Sequence, residues 1–203
     1  MQLKTEHLRQ AASIHLRESA QAKYDVAEQC LDSILRAAQL IADCFGAGGK
    51  VLICGNGGSA ADSQHMAAEF VSRLSKEFDR PGLPAIALTT DTSFLTAFAN
   101  DCGYDGIFER QVQALGKAGD VLIGISTSGN SKNILLAVTA ARASAMSTVV
   151  LTGRGGGQLF DLANVAICVP STNTQYIQEC HLAIEHILCE IVEHSLFDKS
   201  FQK

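Results

Sequence analysis

The feature of this sequence that most constrains its fold is an alternation of short apolar runs with segments of helical patterning. Five apolar runs, most of them rich in Val and Ile, lie at 50–54, 84–88, 121–125, 148–151 and 165–169. Continuous apolar runs of this length are typical of parallel strands that helices cover on both faces. Helical segments separate most of them, at 59–76, 92–99, 106–117 and 131–145. The alternation predicts a doubly wound, flavodoxin-like α/β fold with five parallel strands.

Helical regions also flank the alternating pattern on both sides. Apolar residues recur at helical spacing between Ile34 and Phe45, and a glycine cluster at 46–49 then ends the helix. We expect two N-terminal helices with a break near Asp25, and a long amphipathic helix over 174–197. Because no linker or low-complexity tract interrupts the chain, we predict one domain over 1–203, with N-terminal helices at 1–47 and the α/β core with its C-terminal helix at 48–203.

Composition narrows the class of protein. The chain has 203 residues and is 47% hydrophobic, which supplies a full core without disulfides or metals. Only 18% of the residues are charged, which argues against a disordered chain. The formal net charge of -5 argues against a surface for nucleic acid or membranes.

The cysteines and the N-terminal segment bear on the compartment. Seven cysteines, an odd number with no Cys-x-x-Cys pair, lie mostly inside apolar runs such as 51–54 and 166–169, as buried thiols do in a reducing compartment. The first residues are too polar for a signal peptide, and no apolar run approaches the length of a membrane span. We therefore expect a soluble cytoplasmic protein with no membrane and no direct nucleic-acid partner.

Two polar loops follow the first and third apolar runs. Both the segment 55–59 and the segment 126–131 have the pattern of a strand, a small polar loop and a helix start. If the two strands flank the point where the strand order reverses, both loops face one crevice, where open α/β sheets bind ligands. In the first loop the glycines allow a ligand close to the backbone, and Ser59 is a candidate N-cap of a helix whose N-terminus favours an anion. The alternative is a tight turn with no ligand.

The second loop is rich in hydroxyl groups. These come from Ser126, Thr127, Ser128 and Ser131. Together with backbone amides they form a neutral phosphate cradle, and without a lysine of the Walker type the loop is not a nucleoside triphosphate site. The alternative interpretation is that serine and threonine serve here as ordinary caps and turn formers.

Two helices carry candidate acid, base or metal-binding groups. His65 and Glu69 lie four residues apart, so they share a helix face and form either a metal or acid–base pair or an ordinary surface pair. Further along, Gln178, His181 and Glu185 share a face, whereas His186 lies about 80° around the helix from Gln178. Spacing alone leaves open which of these side chains reach a site. We expect His15 and His194, toward the two ends of the chain, at the surface.

Taken together and in this order, these motifs resemble those of the phosphoheptose isomerase family. The matching segments are Cys54 to Ser59, Gln64-His65 with Glu69, Asn100-Asp101, Ser126 to Ser131, Leu151 to Arg154, and Ile177 to Glu179 followed by His186. The resemblance covers nearly the whole chain. It departs at Tyr176, where the family usually carries Arg, and at Ala60, where relatives often carry another residue.

The resemblance implies a SIS-fold homotetramer that converts sedoheptulose 7-phosphate to D-glycero-D-manno-heptose 7-phosphate for lipopolysaccharide precursors, with one zinc per subunit. It implies zinc ligands at His65, Glu69, Gln178 and His186, of which Glu69 and His186 also match the acid/base pair. It further implies substrate contacts at Asn56, Gly57, Gly58, Asn100, Asp101 and Gln178, and a phosphate cradle at Ser59, Ser126, Thr127, Ser128 and Ser131. The choice of His186 over His181 and Glu185 comes from the resemblance alone.

Other functions fit the same pattern. A non-catalytic branch of this fold binds the replication initiator DnaA, and sugar-phosphate-sensing modules need the cradle but no acid or base. The DnaA-binding branch lacks the Glu and the His that this chain carries as Glu69 and His186, which favours the enzyme. An isomerase for another ketose phosphate remains a third alternative.

Overall fold

The computed structural model describes residues 5–74, 76 and 79–198. Its elements follow each other in the order α1 (Thr5–Gln29), α2 (Leu31–Gly46), β1 (Val51–Gly55), α3 (Gly58–Val71), β2 (Ala85–Ala87), α4 (Thr92–Cys102), a 3-10 turn (Tyr104–Gly106), α5 (Ile107–Leu115), β3 (Val121–Ser126), α6 (Lys132–Ala143), β4 (Ser147–Thr152), α7 (Leu159–Leu162), β5 (Val165–Cys168) and α8 (Thr174–Phe197).

The five strands form one parallel sheet in the order β2-β1-β3-β4-β5. This confirms the predicted doubly wound fold, and each strand lies within about a residue of the run that predicted it. The order reverses between β1 and β3, which pair directly from Val51 opposite Val121 to Gly55 opposite Ile125. The carboxyl ends of β1 and β3 therefore lie side by side, at the place where such sheets bind ligands.

Alternate residues of the strands pack into two separate cores. On one face, Ile53 and Ile123 pack with residues of α2, α3 and α8, among them Ile34, Phe70 and Ile184. On the other face, Leu52 and Leu122 pack with α5 and α6. Because successive side chains of a strand point to opposite faces, each strand supplies both cores. The N-terminal helix α2 is thus part of a covering layer of the sheet.

Two helix boundaries differ from the prediction. The break between α1 and α2 lies at Cys30, whose buried Sγ lies 3.4 Å from the carbonyl oxygen of Cys168. Asp25 lies inside α1, where its carboxylate accepts a hydrogen bond from Gln21 one turn earlier (2.8 Å). A helix is predicted over 59–76, and residue 75 lies outside the described part of the chain. The helix at this place, α3, ends at Val71.

The early end of α3 has a tertiary cause. The carbonyl oxygen of Phe70 accepts hydrogen bonds from Leu83 N (3.0 Å) and Arg80 Nη1 (2.8 Å). The amide of Leu74, which would have continued the helix onto that oxygen, donates instead to Glu193 Oε1 (2.9 Å). Residues that follow α3 in the chain therefore bind its terminal carbonyl groups. Local sequence patterns do not predict such tertiary contacts.

The cysteine prediction is confirmed for most of the thiols. Those of Cys30, Cys44, Cys54, Cys180 and Cys189 are buried, Cys168 is half-buried, Cys102 is exposed, and all are free. None of the helices within the described residues is long and apolar enough to cross a membrane.

His181 is a buried structural residue of α8. Its Nε2 lies 3.1 Å from the carbonyl oxygen of Thr152, at the end of β4, and donates to it. Burial lowers the pKa of His181 from 6.5 to about 4. The folded protein thus keeps a neutral imidazole at this position near neutral pH.

The His181 pKa predicts an acid-sensitive component of stability. Between pH 6.5 and about 4 the unfolded chain binds a proton at this position and the folded chain does not. The free energy of unfolding should therefore decrease as the pH falls through this window, by no more than about 3 kcal/mol from this group. H181Q keeps a donor for Thr152 and should lose less stability over the same window in urea unfolding. The same pH dependence in both proteins would contradict this assignment.

Candidate active site

The two polar loops lie side by side and are joined by a pair of amides. Asn56 Nδ2 donates to Asn133 Oδ1 (2.9 Å), and Asn133 Nδ2 donates back to Asn56 Oδ1 (2.8 Å). The hydroxyl of Tyr104 also donates to Asn56 Oδ1 (2.9 Å). Asn56 is one of the residues expected to contact substrate, whereas its partners Asn133 and Tyr104 were not predicted from the sequence. The position of Asn133, in the first turn of the helix after the second loop, is the signal that could have drawn attention to it.

The first loop is shaped by glycine, and its capping differs from the prediction. Gly57 has a positive φ of 57° and precedes α3, so it occupies the N-cap position expected for Ser59. Ser59 lies inside the helix, where its carbonyl oxygen accepts from the hydroxyl of Ser63 (2.7 Å). A Cβ atom at Gly58 would collide with the side-chain amide of Gln178. Glycine at this position therefore leaves room for the Gln178 amide beside the loop.

The second loop gathers its hydroxyl groups. Ser126 Oγ lies 3.0 Å from Ser131 Oγ and 3.4 Å from Ser128 Oγ. Thr127 is half-buried, and its carbonyl oxygen accepts from Gly153 N (3.0 Å). Three hydroxyl groups thus cluster at the start of α6, whose N-terminus favours an anion, which is the chemistry of a neutral phosphate cradle.

The segment between β4 and α7 supports the second loop through its backbone. Leu159 N donates to the carbonyl oxygen of Gly129 (3.1 Å), and Gln158 N donates to Asn130 Oδ1 (3.1 Å). Gly129 and Gly157 both have positive φ angles, of 65° and 57°. A Cβ atom added at Gly157 would lie 2.6 Å from the carbonyl oxygen of Gly129. Two glycine backbones in contact therefore fix the position of the hydroxyl cluster.

Two histidines from different helices meet beside the first loop. His65 Nε2, from α3, lies 2.8 Å from His186 Nε2, from α8. Glu69 Oε1 lies 3.7 Å from the same His65 nitrogen. The contact brings together three of the residues that the family resemblance placed in one site. His181 and Glu185, which spacing could not separate from His186, are buried in the core.

The donors are of the kind that zinc binds, but the chain gathers them only in part. Two imidazole nitrogens bound to one tetrahedral zinc lie about 3.4 Å apart. His65 Nε2 and His186 Nε2 are 2.8 Å apart, so the two rings would have to separate slightly to share a metal ion. Gln178 Nε2 donates to Asp62 Oδ2 (3.1 Å), which leaves its Oε1 available. Among the residues that the structure describes, no three His, Cys, Asp or Glu side chains are close enough together to hold a metal ion. Glu69 and Gln178 would have to turn toward the histidines.

Two buried carboxyl groups lie behind Gln178. Burial raises the pKa of Asp62, although the hydrogen bond from Gln178 and the nearby His65 lower it. Burial also raises the pKa of Glu185 to about 9, and the charge of Asp62 adds to this effect. Neither oxygen of Glu185 has a hydrogen-bond partner, so this side chain is a neutral acid at pH 7. The pairing of Asp62 with Gln178 was not predicted from the sequence.

The remaining predicted residues lie at the edges of this region. Asn100 and Asp101 are exposed at the end of α4, where Asn100 Nδ2 donates to Asp101 Oδ1 (2.8 Å). His15 and His194, which were expected at the surface, are half-buried, and each contacts a carboxylate. His15 Nε2 lies 3.1 Å from Glu179 Oε1, and His194 Nδ1 lies 3.2 Å from Asp198 Oδ2.

Tyr176, in the place where the resemblance expects Arg, is buried and donates to Glu18 Oε2 (2.9 Å).

Comparison with known proteins gives consistent matches. A family model described as the SIS domain matches residues 15–153. The phosphoheptose isomerase of Roseiflexus sp. (strain RS-1) is 52% identical over 186 residues, which cover 90% of this chain and 93% of the relative. That of Burkholderia pseudomallei (strain K96243) is 56% identical over 172 residues, which cover 85% and 86%.

A solved structure agrees with these relatives. Phosphoheptose isomerase GmhA from Neisseria gonorrhoeae superposes with a TM-score of 0.86 at 44% identity, covering 92% of this chain and 98% of that one. The agreement spans both the strand–helix core and the helices around it. The resemblance drawn from the motifs is confirmed, and the chain belongs to the phosphoheptose isomerase family of SIS-domain proteins.

Proposed function

We propose that this protein is an aldose–ketose isomerase that converts sedoheptulose 7-phosphate to D-glycero-D-manno-heptose 7-phosphate, for lipopolysaccharide precursors. The observation that carries the proposal is the meeting of His65, Glu69 and His186 beside the glycine loop. A sensing or partner-binding module needs the hydroxyl cradle but has no use for a carboxylate and two imidazoles in contact. The names of the relatives support the same substrate class.

Binding in this proposal is carried by the substrate phosphate. Ser126, Ser128 and Ser131 offer hydroxyl donors, and the N-terminus of α6 favours negative charge. The phosphate lies at the far end of the sugar from the reacting carbons. Its binding energy therefore orients the reacting end toward α3 and α8.

The chemistry moves a proton between C1 and C2 of the sugar through an enediol. Glu69 takes the proton from carbon, and its mostly buried side chain keeps the carboxylate poorly solvated. His186 exchanges protons with the carbonyl and hydroxyl oxygens, and its contact with His65 orients the ring. The carbon-bound and oxygen-bound protons thus have separate acceptors on two helices.

We also propose one zinc per subunit, held by His65, Glu69, Gln178 and His186. When bound, the metal would polarise the substrate carbonyl as a Lewis acid. The chemistry of the donors and the meeting of the two histidines from different helices support this assignment. A carboxylate bound to zinc is a weaker base, so the two roles of Glu69 compete.

The assembly and location are part of the same proposal. Large apolar side chains are exposed on α1 and α2, among them Leu8, Ile14, Leu16, Leu31 and Leu35. A homotetramer with a helical centre would bury them. The packing of α2 and α8 on one face of the sheet supports a single domain, and free thiols are in keeping with a cytoplasmic enzyme.

The first prediction concerns the base. In deuterated buffer, NMR should show conversion of sedoheptulose 7-phosphate and uptake of deuterium at the reacting carbon. E69Q should lower the rate by a factor of about 10² to 10⁴, because it removes a general base while preserving shape. E109Q makes the same substitution on α5, where Glu109 contacts Gln113, and should retain the wild-type rate. Wild-type turnover by E69Q would remove Glu69 from the mechanism.

The second prediction concerns the metal. Dialysis against a chelator should abolish conversion, and stoichiometric zinc should restore it, with one zinc per chain by elemental analysis. Far-UV circular dichroism should stay unchanged, since none of the four proposed ligands belongs to either apolar core. Full conversion by a protein shown to be metal-free would contradict the zinc assignment and leave the isomerase proposal standing.

The third prediction concerns the cradle. G157A places a Cβ atom against the carbonyl oxygen of Gly129 and should displace the hydroxyl cluster. We expect the KM for the sugar phosphate and the Kd for inorganic phosphate to rise about tenfold, equivalent to about 1.4 kcal/mol. G155A is the matched control, because Gly155 also has a positive φ but open space around its Cβ position. Equal effects of both variants would show that backbone strain alone is responsible.

A further inference from the structure

A buried ion pair lies at the C-terminal end of α3. The side chains of Arg80 and Glu193 are 0% and 1% exposed, so the pair is fully removed from solvent. Arg80 Nε and Nη2 both lie against Glu193 Oε1, at 2.7 and 2.5 Å. Neither residue belongs to the predicted site, and no sequence motif drew attention to them.

Arg80 also holds the end of α3 through backbone carbonyl groups. Its Nη2 donates to the carbonyl oxygen of Glu69 (2.8 Å), and its Nη1 donates to that of Phe70 (2.8 Å) and to that of Pro81 (3.0 Å). The carbonyl groups of Glu69 and Phe70 belong to the last turn of α3, whose dipole favours a cation at this end. The guanidinium thus contacts the backbone of the proposed base itself.

The pair connects the two helices that form the acid–base cluster. His65 and Glu69 lie on α3, whereas His186 and Glu193 lie on α8. At the other end of the α3–α8 contact, Gln178 bonds to Asp62 and packs against Gly58. The histidine contact lies between these two polar connections. The separation of Glu69 and His186 therefore depends on connections at both ends.

Stability alone does not account for such a pair. Moving two charges out of water is costly, and well-packed apolar residues of similar volume often stabilise a core at least as well. Glu193 Oε2 has no hydrogen-bond partner, so the pair is not even fully satisfied. What an apolar replacement could not supply is directional bonding to the Glu69 carbonyl.

We propose that Arg80 and Glu193 are positioning residues, which fix the backbone of Glu69 relative to His186 on the neighbouring helix. The role rests on the proposed isomerase function and acts through Glu69. Loss of the bonds from Arg80 should misplace the carboxylate while leaving the phosphate cradle, on the other side of the crevice, intact. The turnover number should then fall with little change in KM.

R80K provides the test, because lysine keeps the charge but cannot bond to Glu193 and to the α3 carbonyl groups together. We expect kcat to fall about 10- to 100-fold, the usual cost of misplacing a reacting group by about an ångström. KM and the Kd for inorganic phosphate should stay within about threefold of wild type, since remote binding is unaffected. E193Q, which keeps the volume but removes the charge, should behave in the same way and serves as a second variant.

K50M provides the matched control. It breaks an ion pair of Lys50 with Asp120 (2.5 Å) at the amino ends of the strands, away from the site. We expect K50M to lose stability and to retain wild-type kcat.

A double variant, E69Q with R80K, separates positioning from general damage. Because the role of Arg80 requires Glu69, R80K should change the residual deuterium uptake of E69Q by less than about twofold.

The outcomes distinguish the positioning role of Arg80 from the isomerase function on which it rests. If wild type converts the substrate but R80K loses no more kcat than K50M, the positioning role is wrong and the isomerase function stands. A further 10-fold loss on the E69Q background would likewise overturn it, since Arg80 would then act independently of Glu69. If wild type shows neither conversion nor deuterium uptake, the isomerase function is wrong, and the role of Arg80 is overturned with it.

Discussion

The parallel pairing of β1 with β3 is the interaction on which the rest of the site depends. Every residue of both strands is buried, so a one-residue shift in register would move side chains that fit one core into the other. The pairing places the carboxyl ends of the strands next to each other at the reversal of strand order. The reciprocal amide bonds of Asn56 and Asn133 then fix the two loops to each other. The order and pairing of the strands therefore place a ligand crevice at this edge of the sheet.

The fold was predictable because local sequence patterns identify the strands and helices, and the alternation of these elements determines the topology of the sheet. Short apolar runs, most of them rich in Val and Ile, identified the strands, and glycines and hydroxyl residues identified the loops. Boundaries set by distant partners were not predictable. The end of α3 at Val71 depends on Arg80 and Glu193, and the break at Cys30 lies where that side chain meets β5. Neither contact leaves a periodic signal in the sequence.

The loops and residue types of the site were predictable, but the helix side chains that reach it were not. Helical spacing placed Gln178, His181 and Glu185 on one face, yet two of these three point into the core. His186, which lies off that face, meets His65 because the packing of α8 against α3 turns it there. Spacing within one helix describes only that helix. Which side chains reach a site is decided by the neighbouring element, so His186 could be chosen only from the family resemblance.

The two halves of the site are held by different kinds of contact, and this has a consequence for function. The hydroxyl loop is held by backbone contacts between glycines and by the strand beneath it, which leave little freedom to adjust. The acid–base groups lie on two helices, where apolar packing allows small sliding movements that directional polar bonds restrict. A site of this design can hold its phosphate rigidly while the groups that transfer protons depend on a few buried polar side chains. Substitutions in the first half should therefore affect mainly affinity, and substitutions in the second half mainly turnover.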